Sequence, residues 1–282
     1  MKSFNTKNSV LRFFVTSRLV ALRGLGSIFT VLFFAGCGAG DSDGKLVVVS
    51  TTTHVTDIVK FVAGDRLDVI ALMGPGVDPH LYKPSAGDAA TLAKADLIFF
   101  SGLMLEGRMA DVFAKVSRRG TKAYAVTENV SEKSLLEPEE FEGHWDPHVW
   151  FDPAIWSKCV DVVSDALTEN DPEGKAGYTE RAEALKAEYL AVTHWAQARL
   201  SGLPEGSRYL VTSHDAFNYF GRAFGLEVLA VQGISTATEA GLADRVAMVD
   251  FVKKHEVKAI FVESSVNPAI IEGIAKEAGV KI

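Results

Sequence analysis

Apolar residues in this chain fall into two kinds of pattern. Short, nearly continuous runs alternate with stretches in which the apolar positions recur every three or four residues. The first kind marks strands buried on both faces and the second marks amphipathic helices. Residues 45–52 form a valine-rich run that predicts a strand, and residues 56–62 predict a helix. A strand follows at 67–72, a helix at 89–95, a strand at 97–100, a helix at 106–116 and a strand at 123–126. After a helix at 153–167, a second alternating set begins. It comprises strands at 209–212, 227–231 and 259–262 and helices at 216–224, 242–254 and 269–278. Gly279-Val280-Lys281-Ile282 reads as the opening of one more strand. Strand–helix alternation of this kind predicts parallel sheets covered by helices, an α/β fold.

Between the two sets lies one long uninterrupted helical pattern, residues 172–200. Tyr178, Ala182, Leu185, Tyr189, Val192, Ala196 and Leu200 recur at steps of four and three, predicting a single apolar stripe. At 1.5 Å per residue such a helix is roughly 40 Å long, more than one lobe needs. It is read as a spine joining two lobes. The expected organisation is therefore an N-terminal α/β lobe over 45–167, a linking helix over 168–203 and a C-terminal α/β lobe over 204–282. Residues 128–147 break the pattern, being acidic and without a strand. A connection that long inside a compact domain usually serves function or stays disordered.

The first 36 residues carry Lys2, Lys7, Arg12, Arg18 and Arg23 and no acid, followed by an apolar run from Leu25 to Ala35 that ends at Cys37. The run is too short to span a bilayer and has the layout of a secretory signal. Phe34-Ala35-Gly36-Cys37 is similar to a bacterial lipobox, with Cys37 as the lipid-bearing first residue of the mature chain and 37–44 as a flexible tether. Removing residues 1–36 takes away five positive charges and no negative ones, so the formal charge falls from −7 to −12. An acidic surface argues against nucleic acid as a partner. Processing leaves Cys159 as the one free thiol candidate, set in the apolar pattern of a helix, so it is read as buried and inert.

The chemistry concentrates in three histidines. His80 ends Gly-Pro-Gly-Val-Asp-Pro-His, His148 sits in Trp-Asp-Pro-His-Val-Trp-Phe, and His214 in Leu-Val-Thr-Ser-His-Asp-Ala-Phe. Each follows a strand-like run or precedes a helix start, and neutral imidazole is the commonest protein metal ligand. In two of them an Asp-Pro pair stiffens the turn that presents the ring. Separations of 68 and 66 residues exclude a local zinc finger, so only the fold can bring them together. Asp78 and Asp146 are read either as acceptors for the ring two residues on or as turn formers. Glu263 is expected near the same cleft edge, beyond the strand at 259–262. His144 is read as a solvated loop residue, His54 as a helix-start residue, and His194 and His255 as structural or exposed.

Four segments appear in a fixed order: Leu-Met-Gly-Pro-Gly-Val-Asp-Pro-His-Leu-Tyr at 72–82, Asp-Pro-His-Val-Trp-Phe-Asp at 146–152, Ser-His-Asp-Ala-Phe at 213–217 and Phe-Val-Glu-Ser-Ser at 261–265. Together they resemble the cluster A-I substrate-binding lipoproteins of bacterial zinc and manganese ABC transporters, in the TroA-like branch. The resemblance spans nearly all of the expected mature chain. It implies two α/β lobes joined by one long helix, with a metal site in the cleft between them. It further implies that His80, His148 and His214 bind one divalent ion, Zn²⁺ or Mn²⁺, as cargo and not for catalysis. Histidine at the third position favours zinc, because imidazole is softer than carboxylate. The implied setting is extracytoplasmic, with the chain held to a membrane by lipid on Cys37 and acting as a monomer that delivers the ion to a membrane permease. The family's fourth ligand, an Asp, belongs to a motif that would lie beyond Ile282, so the C-terminal lobe is expected to be truncated. Two other functions fit parts of the sequence. A zinc hydrolase would also use three ligands and an open position, with Glu263 as the weak candidate base. A surface adhesin is the second.

Overall fold

The computed structural model describes residues 45–282; the expected signal segment, the expected lipid-bearing Cys37 and the expected tether lie outside the described residues. Four parallel strands form the first sheet: β1 (Val47–Ser50), β2 (Asp68–Ala71), β3 (Leu97–Phe100) and β4 (Lys122–Ala125), in the order β2-β1-β3-β4. The central pair, β1 and β3, supplies Val48, Val49, Leu97, Ile98 and Phe99, all essentially without exposure. That is why their sequences read as unbroken apolar runs.

Helices α1 (Thr53–Ala63), α2 (Ala86–Leu92) and α3 (Ala110–Ser117) connect the strands. One face of the sheet packs with Val55, Ile58, Val59 and Val62 of α1. The other packs with Leu92 of α2 and Phe113 and Val116 of α3. Ser85 and Asp88 close α2 with reciprocal capping bonds.

The expected helix over 106–116 instead opens with a 3₁₀ turn at Gly107–Met109. The cause is Glu106, which is buried and turned back into the strand ends. Its carboxylate accepts from Thr51 Oγ1 (2.6 Å), the Ser101 amide (2.8 Å) and the Gly102 amide (3.4 Å). It thereby fixes a turn in which Gly102, Leu103 and Met104 all take positive φ. Burial raises its pKa against those hydrogen bonds.

Helices α4 (Pro153–Asn170) and α5 (Lys175–Leu200) pack against each other and against α1. Asp152 caps α4 through its carboxylate, and Cys159 lies buried within it, the burial pushing its thiol pKa up. α5 is the long helix read from the sequence. Tyr178, Ala182, Leu185 and Ala196 are buried as the stripe requires, but Val192 is 49% exposed and Thr193 takes the inward place. A helix advances 3.6 residues per turn, so the inward line steps from Tyr189 to Thr193 and not to Val192.

A parallel pair, β5 (Tyr209–His214) and β6 (Glu227–Gln232), builds the second sheet, with α6 (Asn218–Phe224), α7 (Leu242–Lys254) and α8 (Ala269–Ala278). Its core gathers Val211, Val231, Met248, Val252, Ile260 and Ile274. Residues 259–262, expected as a strand, form no regular ladder. Ala259 bridges Lys281, and the Phe261 amide donates to the Val211 carbonyl, so each side contributes isolated contacts. No helix among the described residues is long and apolar enough to cross a membrane.

The acidic segment 128–147 is ordered by two short 3₁₀ turns and by α6. The Tyr219 hydroxyl accepts from the Leu136 amide (3.1 Å) and donates to the Asp146 carbonyl (2.8 Å), while Arg222 donates to the Ser134 carbonyl. Tyr219 is fully buried within the core of the first sheet, so α6 ties the two parts of the fold.

Candidate metal centre

His80, His148 and His214 converge from three separate elements. One nitrogen of each lies within 4.8 Å of the others. His80 Nε2 is 3.1 Å from His148 Nε2, and the ring centroids are 5.2 Å apart for His80–His148, 5.8 Å for His80–His214 and 5.2 Å for His148–His214. Tetrahedral zinc bound at 2.0–2.1 Å separates its ligand nitrogens by about 3.4 Å, so the three rings already stand near a ligating arrangement. They open on a cavity of about 360 Å³, at the carboxyl ends of the strands, that is also lined by Thr52, His54, Trp150 and Glu263.

His148 is the most firmly set of the three. It sits in the turn before the 3₁₀ segment Val149–Phe151 and is 1% exposed. Asp146, completely buried, accepts from both the His148 backbone amide (2.9 Å) and ring Nδ1 (2.7 Å) through the same oxygen. That bond fixes the tautomer with Nδ1 as donor, leaves the Nε2 lone pair available to a metal ion and raises its basicity. Both readings of Asp146, as turn former and as ring partner, therefore hold together.

His214 is the last residue of β5 and not, as the sequence reading had it, a residue beyond the strand. Its amide donates to Glu263 Oε1 (2.9 Å), and its Nδ1 lies 2.5 Å from Glu263 Oε2 without the alignment of a hydrogen bond. Glu263 thus stands against His214 with both oxygens.

His80 differs from the other two. Asp78 accepts from its backbone amide (2.9 Å), so Asp78 forms the turn without bonding the ring. The second Asp78 oxygen accepts from Thr236 Oγ1 (2.5 Å).

Burial keeps the His80 and His148 rings neutral. The His80 pKa is pushed down to about 3, first by loss of solvent and then by His148 and His214, with Asp78 opposing. His148 lies well below the usual histidine range, chiefly from burial, with His214 adding and Glu263 opposing. A neutral imidazole keeps a lone pair for a metal ion, so at neutral pH protons compete little at these two positions.

The remaining histidines separate cleanly. His144 is exposed on the acidic segment, leaning on Phe141, and His194 is exposed on α5. His255 stacks on Phe251 at the end of α7. His54 is more than a helix-start residue. Its ring stacks on Trp150 at 4.0 Å, and Trp150 meets His148 edge-on at 5.2 Å. Burial lowers its pKa to about 3, helped by His148, so an aromatic layer backs the site. The pattern around His54 in the sequence carries no signal for this layer, because its partners are about 100 residues away.

Comparison with known proteins fits this geometry. The chain is 39% identical to the manganese-binding lipoprotein MntA of Bacillus subtilis over 260 residues, 89% of this chain and 84% of that protein. It is 41% identical to the zinc-binding protein TroA of Treponema pallidum over 234 residues, 83% of this chain and 75% of that one. The solved structure of the periplasmic zinc-binding protein TroA from Treponema pallidum superposes with a TM-score of 0.81 at 38% identity, covering 85% of this chain and 87% of that one. Residues 48–282 match the family described as zinc-uptake complex component A, periplasmic (ZnuA). A match over that span places the chain in the ZnuA family of metal-binding proteins.

Proposed function

We propose that this protein captures a divalent transition-metal ion outside the cytoplasm and hands it to the membrane permease of an ABC transporter, with His80, His148 and His214 as ligands. The observation that carries the reading is the convergence of three largely buried imidazoles on one cavity, with carboxylates standing behind two of them. Family membership supports the transport role, since relatives are named as zinc- and manganese-binding proteins and lipoproteins. Three nitrogen donors favour zinc over manganese, which prefers oxygen. Lipid on Cys37 is the proposed anchor. A hydrolytic reading is weaker because Glu263, the acid considered as a base, already accepts from the His214 amide and stands against its ring.

Chelator-competition titration of metal-stripped protein with zinc and with manganese tests the proposal. Each of His80→Ala, His148→Ala and His214→Ala is expected to weaken zinc binding about tenfold or more, and His144→Ala and His255→Ala to leave it unchanged. Wild-type protein that binds neither ion, or His144→Ala as damaging as His148→Ala, would overturn it.

A further inference from the structure

Of the three ring-bearing segments, the one holding His80 is the least anchored by its own structure. It runs from the end of β2 to α2 without helix or strand, and no carboxylate among the described residues bonds the His80 ring. His148, by contrast, is fixed by Asp146 and Tyr219, and His214 by β5 and Glu263. The flanks of the His80 segment are held to the first sheet by buried Met73 and by the Tyr82 hydroxyl on Asp88, whereas the stretch from Gly76 to His80 is steadied from the other part of the fold. Thr236, buried in the segment after β6, donates to Asp78 at 2.5 Å across a separation of 158 residues. Gly76, with φ +79°, passes so near the second part that a Cβ there would come within 3.4 Å of the Ser264 carbonyl oxygen. The Thr236 segment is in turn tied to the other ligand, because the amide of Asp215, next to His214, donates to the Gly233 carbonyl.

A continuous chain of contacts therefore runs from His214 through 233–236 to Asp78 and His80. Asp78 sits at its centre, one oxygen shaping the His80 turn and the other gripping Thr236.

We propose that Thr236 is a positioning residue that latches the His80 segment onto the second sheet's side of the cavity, so that bound metal leaves when the Thr236–Asp78 bond opens. The contacts place the moving part at His80. Opening this latch requires breaking one side-chain bond, and neither the buried His148 shell nor the long helix has to shift. The latch sets the lifetime of the complex more than the rate of capture, because it holds a ligand that has already closed on the ion.

The inference rests on the metal-capture reading, and the two fail differently. Zinc release is measured by stopped flow into a chromogenic chelator, at concentrations where the rate no longer depends on the chelator. Thr236→Val preserves shape and removes the hydroxyl, and Thr236→Ser restores it. Release is expected to accelerate about tenfold in Thr236→Val and to return to the wild-type rate in Thr236→Ser. Amide hydrogen exchange over 74–80 should rise in Thr236→Val while exchange in β5 and β6 holds, which general loosening would not produce. Thr236→Ala, read in the same way, serves if the valine does not pack. Equal release from wild type and Thr236→Val, or a Thr236→Ser variant as fast as the valine, overturns the latch. Failure of wild-type protein to take up zinc overturns the capture reading instead.

Discussion

Asp146 offers the sharpest mutational test of how the site is held. Its side chain is completely buried, and one oxygen accepts two bonds from His148, 2.9 Å to the amide and 2.7 Å to ring Nδ1. Replacing it by alanine frees the ring to rotate and removes the negative charge that strengthens Nε2 as a ligand. Loss of such an outer partner costs ~10–100-fold in metal affinity, or ~1.4–2.7 kcal/mol. The fold also loses three hydrogen bonds to a charged acceptor, the third a long one from Asn218 Nδ2 (3.4 Å); such bonds are worth ~1.5–3 kcal/mol each, offset in part because a buried charge disappears with them. A net destabilisation of about 3 kcal/mol corresponds to a fall of roughly 6–12 °C in melting temperature for a domain of this size. Asp146→Asn keeps an acceptor for both His148 bonds and gives up the charge, so its affinity loss should stay below about tenfold. Zinc competition titrations report the affinity, and thermal melts in chelator report the fold. If Asp146→Ala remains folded and binds zinc within twofold of wild type, the argument that this carboxylate sets the His148 ring is wrong.

Other outcomes follow from the same contacts. Because burial holds the His54 and His80 pKa values near 3, the unfolded chain takes up protons first as pH falls below about 6.5. Metal-free stability should therefore be fully present above that pH and decline between about 6.5 and 3. His54 alone contributes a loss of about 2 kcal/mol by pH 5, and His54→Phe, which keeps the stack on Trp150, should flatten the decline in chemical denaturation across that range. Glu106→Ala leaves the Ser101 and Gly102 amides and the Thr51 hydroxyl without their acceptor and should cost about 3 kcal/mol or more in the same assay. A Cβ on Gly221 would meet Val228 Cγ2 at 2.6 Å and the Leu226 carbonyl at 2.7 Å. Gly221→Ala is accordingly expected to destabilise by roughly 1–3 kcal/mol through displacement of α6. Cys37→Ser should move the protein from the membrane fraction to the soluble extracytoplasmic fraction; unchanged membrane association and mass would count against the lipid.

How much of this was legible beforehand depended on the range of the interactions. β3 at Leu97–Phe100 and α7 at Leu242–Lys254 agree residue for residue with the pattern, because burial of their own apolar residues dictates them, on both faces in β3. The 3₁₀ turn at Gly107–Met109 was not legible. It follows from a glutamate whose partners, Thr51 and Ser101, lie just past the ends of β1 and β3. The exchange of Val192 for Thr193 on the long helix shows a strict alternation of fours and threes, 3.5 on average, falling behind the true period of 3.6. Residues 259–262 had strand composition, but a strand also needs a ladder, and the neighbours give only isolated bonds. At the site, the three histidines were visible through their local frames. Their carboxylate partners divided by distance: Asp146, two residues from its histidine, was readable as a candidate, whereas the Asp78–Thr236 bond spans 158 residues and leaves no local trace.

The central claim is that three imidazoles take one ion. X-ray absorption at the zinc edge, on protein loaded with one equivalent, tests it most directly. Ligation by three imidazoles predicts nitrogen scatterers at about 2.0–2.1 Å with the outer-shell pattern of three rings, falling to two when any one of His80, His148 or His214 is replaced by alanine. A spectrum without imidazole scattering, or one that the three substitutions leave unchanged, would contradict it.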